Sequence, residues 1–127
     1  MSVKYDDGKE KIYRGFMEYF PRAIKEITRV SEFGAEKYGA FGGWKDVLDG
    51  FNRYSDAMGR HHLLERVEVQ EKESKILHSA FVAWNALARL ELFLEGRDEK
   101  IEALKIACPL DGSVEVESFQ DNCVGGN

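Results

Sequence analysis

The sequence predicts an all-α protein, an antiparallel helical bundle with a short N-terminal arm and a mobile acidic C-terminal tail. Three observations point there. Apolar residues recur at helical spacing in three long segments, as Ala23, Ile24, Ile27, Val30, Gly34 and Tyr38 do in the first. Pro21, the cluster of Gly39, Gly42 and Gly43, and Gly96 stand at the ends of those segments, and the connections are short enough to fold neighbouring helices back on one another. The length of 127 residues suits one domain with one core, expected over residues 1–127 with its helical core about 21–96.

Residues 1–20 read as an arm, with Asp7-Gly8-Lys9 followed by a short aromatic stretch. Pro21 suits the first turn of a helix, where its missing N–H costs nothing, and Gly39, Gly42 and Gly43 stop that helix after Tyr38. Asp46 or Asp49 is placed to cap a second helix running from about residue 50 into Val69. Residues 70–75 form a polar connection, Ser74 is placed to cap a third helix reaching Leu94, and Gly96 ends it. Residues 100–107 suggest one more short helix, and the acidic stretch after Pro109 is expected to be mobile. The third helix is apolar almost all round, from Ile76 to Phe93, so it needs cover on every side. That predicts a homo-oligomer.

Composition narrows the function classes. The formal charge of −5 speaks against a protein that coats nucleic acid polymers or an anionic membrane, since both need a basic surface. No apolar run reaches the length of a membrane span, and the charged start lacks a secretory leader's core, so a cytoplasmic location is expected. Cys108 and Cys123 stand outside any zinc-ligand spacing and read as free thiols, with a disulfide between them as the alternative. Phosphate-loop, GxSxG and HExxH patterns are all absent.

The chemistry-bearing residues fall in stripes. On the third helix His78, Asn85 and Arg89 share one line, either as an interhelical hydrogen-bond network or as the wall of a site. On the second, Arg53, Asp56 and Arg60 project together, with His61 and His62 following. Asp56 can pair with either arginine on a solvated face, or hold a cation while the arginines take phosphate oxygens. Glu32 and Glu36 lie four apart on the first helix, a spacing that lets two carboxylates share a hard cation, and equally an ordinary exposed pair; Lys37 beside them can neutralise phosphate. Trp44, in a glycine-rich loop, can stack on a nucleobase or plug the end of the bundle.

Three segments then stand out together: RVSEFGAEKYGAFGGW (residues 29–44), DAMGRH (residues 56–61) and ESKILHSAFVAWNALARLEL (residues 73–92). With the DGK of residues 7–9, this order resembles the dATP/dGTP diphosphohydrolase family found in phages, which belongs with the MazG-like all-α nucleotide pyrophosphohydrolases. The sequence departs from that pattern at Phe81, where the family often has a second histidine, and at Lys75, where it commonly has glycine. It has no clean copy of the ExxE and ExxD carboxylate pairs of classical MazG proteins. The resemblance implies a dimeric or tetrameric bundle, with a tetramer favoured, that uses Mg2+ or Mn2+ to hydrolyse a purine deoxynucleoside triphosphate, dGTP first and dATP second, to the monophosphate. In that reading Glu32, Glu36 and Asp56 are the metal ligands, and Glu36 and Asp56 act in catalysis. Lys37, Trp44, Arg60, His61, His78 and Asn85 bind the nucleotide. A non-catalytic helical adaptor is the competing expectation. An HD-type phosphohydrolase, suggested by Asp56, His61 and His62, ranks below both, because only three histidines are present.

Overall fold

The computed structural model describes residues 3–96, and every described element longer than one turn is helical. The segment at residues 100–107, the acidic tail, Cys108 and Cys123 lie outside the described residues. The arm runs along the surface, with Lys11 Nζ donating to the Asp6 and Lys9 carbonyls and one π-helical turn at Tyr13–Met17.

Helix α1 spans Pro21–Tyr38, with the proline in its first turn as expected. Gly39 closes it at φ +84°, donating to the Ala35 carbonyl, a left-handed conformation that glycine adopts without penalty. Gly43 is required for a different reason: a Cβ there would lie 2.8 Å from the Tyr38 Cβ, so only glycine lets the following 3-10 turn, Gly43–Asp46, close onto the end of α1.

Helix α2 spans Gly50–Leu64 and stops short of the expected Val69. The apolar pattern continues through Val67 and Val69, but both side chains face water, so nothing rewards extending the helix. The chain turns instead, and Gln70 and Leu77 form an isolated antiparallel bridge that brings Val69 O to His78 N at 3.0 Å. Helix α3 therefore begins at His78, not after a Ser74 cap, and runs to Glu95. Ser74 instead accepts a hydrogen bond from the Ile76 N–H within the turn. Lys75, at the position noted above for its departure from glycine, sits at φ +63°. Gly96 ends α3 at φ +68°, as expected.

Helices α2 and α3 run antiparallel and pack along their whole length, from Gly50 against Leu92 through Ser55 and Arg89 to His61 and His78. Helix α1 meets only the N-terminal half of α3. The core has two parts. One gathers Val30, Ile76, Ala80 and Phe81, the other Tyr54, Ala88 and Leu92, and Trp84 packs against both. Leu87, Leu90 and Leu94 form an uncovered stripe on α3 among the described residues. No described helix is long and apolar enough to cross a membrane.

Candidate nucleotide cleft

Because α1 and α2 each pack on α3 and hardly on each other, a cleft of about 260 Å3 opens between them with α3 as its floor. Helix α1 contributes Phe33, Lys37 and Tyr38, α2 contributes Arg60 and His61, and α3 contributes Trp84 and Asn85. Glu71 and Glu73, from the turn between α2 and α3, complete the lining. Lys37 and Arg60 thus bring two cations to one concavity, beside the Glu71 and Glu73 carboxylates, so the lining carries both signs of charge and the two helices supply the groups that can take an anion.

The floor is polar and ordered. Asn85 is 4% exposed, and its side-chain nitrogen donates to the Phe81 carbonyl at 2.8 Å. Only the NH2 end can donate to a carbonyl, which fixes the amide orientation and leaves Oδ1 as an acceptor. His61 stacks on Phe81 with ring centroids 4.3 Å apart and an interplanar angle of 7°. Burial, then His78 and Arg60, hold its pKa below the ordinary 6.5, with Glu71 opposing. Glu71 accepts N–H bonds from Glu73 and Ser74 at 2.7 and 2.8 Å, and the first of these leads in holding its carboxyl below the usual range. That carboxylate is committed to shaping the turn.

Of the residues singled out from sequence, Lys37, Arg60, His61 and Asn85 come together in the cleft. His78 lies behind it, 1% exposed, bonded to His61 and Glu68. Trp44 is outside the lining: its indole plugs the far end of the bundle, packed edge-to-face on Tyr54 and Trp84. Arg89 turns to Ser55 and lies over the Phe51 ring, so the stripe it shares with His78 and Asn85 divides between network and cleft. Glu32, Glu36 and Asp56 are exposed and line no part of the cleft. Among the described residues no three His, Cys, Asp or Glu side chains are grouped to hold a metal ion.

Sequence reasoning missed Tyr38, Glu71 and Glu73 in the lining and Glu68 behind it. Glu68 reaches His78 across a non-helical turn, a pairing that no helical spacing announces.

A family model described as dATP/dGTP diphosphohydrolase, N-terminal, matches residues 2–102. No curated protein and no solved structure matches the chain.

Proposed function

We propose, from the premise that this chain belongs to the dATP/dGTP diphosphohydrolase family, that it hydrolyses a purine deoxynucleoside triphosphate, dGTP before dATP, to the monophosphate. The observation that carries the reading is the convergence of Lys37, Arg60 and Asn85 on one cleft. Lys37 and Arg60 take phosphate oxygens and stabilise the charge that develops on them in the transition state. The Phe33, Tyr38 and Trp84 rings offer the base an apolar surface, in place of Trp44. Asn85 Oδ1 accepts a hydrogen from the base edge, which guanine supplies from its ring N–H and amino group and adenine from its amino group. Cytosine and thymine also carry such donors, so this acceptor orients the base edge, and the preference for a purine rests on its larger stacking area against those rings.

The triphosphate enters as its Mg2+ or Mn2+ complex, the metal arriving with the substrate. Magnesium typically keeps several waters and binds through phosphates with one or two carboxylates, so a three-carboxylate cage is not a prerequisite. Glu32, Glu36 and Asp56, all exposed, would reach such a metal singly or in pairs. The exposed Leu87, Leu90 and Leu94 stripe supports self-association through α3, since contiguous apolar surface normally marks an interface. Light scattering is expected to give an oligomer, with a tetramer favoured, and a monomer of 14.5 kDa refutes it.

The deciding experiment incubates the protein with each dNTP and magnesium and resolves the products. Monophosphate is expected from dGTP at least about tenfold faster than from dCTP or dTTP, the effect of one contact of about 1.4 kcal/mol. Equal rates on all four remove the purine assignment, and undiminished rates in excess chelator remove the metal. Absence of product from every dNTP leaves the adaptor reading that the exposed stripe also favours.

A further inference from the structure

The most buried polar side chain of the described fold lies behind the cleft. His78 joins two others in an unbroken chain: His61 Nδ1 stands 2.8 Å from His78 Nδ1, and His78 Nε2 stands 2.8 Å from Glu68 Oε1. With Glu68 ionised and both rings neutral, one arrangement of protons satisfies every bond in it. An ionised carboxylate only accepts, so the hydrogen between Glu68 and His78 sits on His78 Nε2. A neutral imidazole protonated there has a bare Nδ1, so the hydrogen between the two rings belongs to His61 Nδ1. His61 is then left with a bare Nε2 on the ring edge opposite His78, while the ring itself lines the cleft and is held flat against Phe81.

We propose that His61 Nε2 is the proton acceptor for nucleotide hydrolysis, with His78 and Glu68 as positioning residues that set its tautomer. The inference rests on the hydrolase reading above and deepens it. In the step, Nε2 takes a proton from water as the water oxygen bonds to the attacked phosphorus. The bridging P–O bond breaks, and its electron pair leaves with the departing phosphate group. The imidazolium so formed still donates from Nδ1 to His78, which donates to the Glu68 carboxylate, so the new charge is spread along a chain that needs no rearrangement. A purely structural pair offers no such account: apolar side chains at 61 and 78 would pack on Phe81 without the cost of burying two imidazoles and engaging a carboxylate.

The groups around His61 suit the task. Burial first, then His78 from α3 when it carries a second proton and Arg60 from α2, disfavour its protonation, while Glu71 from the turn favours it; Lys37 from α1, Glu73 and the Tyr38 and Tyr54 phenols also face the cleft. With its pKa below 6.5 the ring is a free base at neutral pH.

The test is the pH profile of dGTP hydrolysis together with two variants. In the wild type, kcat/KM is expected to fall with a slope of one proton as pH drops through a value below 6.5. His61→Asn is expected to lower kcat by about a hundredfold or more and move KM by less than about threefold, the signature of an interaction made in the transition state. Glu68→Gln keeps an acceptor for His78 but removes the charge. It is expected to shift the acid limb to lower pH and reduce kcat by about tenfold. Nitrogen NMR is expected to find His61 protonated at Nδ1 and His78 at Nε2, independently of turnover. An acid limb that stays put in Glu68→Gln, a His61→Asn rate near wild type, or the opposite tautomers overturns the proposal while leaving the hydrolase reading standing. A wild-type protein that releases no monophosphate from any dNTP overturns both.

Discussion

At one end of the α2–α3 pair, Trp44, Tyr54 and Trp84 meet edge to face, their centroids 5.3 to 5.9 Å apart. At the other, His61, Phe81 and His78 pack as closely, with His61 stacked flat on the phenyl ring. At the aromatic end two polar atoms are paired within the fold. Tyr54 donates its hydroxyl to the Trp44 carbonyl at 2.6 Å, and Trp84 Nε1 donates to Ser31 at 2.9 Å. The histidine end is open, because its chain from Glu68 finishes on a nitrogen with no partner required from the protein. Aromatic packing of similar compactness thus holds helices together at one end and presents a reactive edge at the other.

The largest effect should come from the residue that joins the two ends. Trp84→Ala is expected to cost about 3–5 kcal/mol in urea unfolding, the range for large aromatic truncations in a core. A loss below about 1 kcal/mol would mean that the two clusters do not depend on their shared indole. Next comes Trp44→Ala, at about 2–3 kcal/mol because this indole packs against one cluster where Trp84 packs against both, with KM for dGTP changed by less than about twofold. A KM increase beyond about tenfold at unchanged stability would return Trp44 to the nucleotide site and break the division between the ends.

The two ends should also titrate on opposite sides of neutrality. His61 has a folded pKa below 6.5, so the unfolded chain takes up its proton first. Its contribution to stability is present above pH 6.5 and is lost as pH falls from there through the folded value. Burial first, and then the neighbouring Tyr38 phenol, push the Tyr54 hydroxyl well above its ordinary 10.0. Its contribution is present below pH 10 and is lost as pH rises toward the folded value. Tm measured from pH 5 to 11 is expected to fall at both extremes, with the acid fall diminished in His61→Phe. An acid limb unchanged in that variant would assign it to other groups. The smallest effect belongs to the turn beside the histidines. Lys75→Gly relieves a left-handed lysine and is expected to raise stability by about 0.5 kcal/mol, the strain relieved less the extra freedom of the unfolded chain. A lower urea midpoint would show that the Lys75 side chain holds the turn.

What was legible in the sequence follows from the range of the physics involved. Pro21, Gly39 and Gly96 mark helix ends by local backbone rules, and all three stand where those rules put them. The end of α2 and the start of α3 are set by the Gln70–Leu77 bridge, a pairing through space that leaves no periodic trace, while Val67 and Val69 carry the apolar pattern past the true end. In the cleft, Arg60 and Asn85 were legible because helical spacing identifies a face, and Lys37 and His61 as charged or titratable neighbours of the residues so spaced. Spacing does not say which neighbour that face meets. Glu32 and Glu36 share a face of α1 that looks outward, and Asp56 looks outward from α2. Trp44 was visible as an unusual residue, but only the packing chooses between a base and two aromatic neighbours.

The unequal docking of the helices has a kinetic side. Helices α2 and α3 are joined by the turn at residues 65–77 and contact each other throughout, so their pairing closes a short loop and is favoured to form early. Helix α1 touches only half of α3, which makes its docking the later and more easily reversed event. The cleft comes into existence with that last event, and on the proposed function local opening of α1 would be the route by which a nucleotide enters. Amide hydrogens of α1 are expected to exchange faster than those of α2 and α3, and to slow when dGTP bridges Lys37 and Arg60; exchange at equal rates in all three helices would mean that the bundle opens as one unit.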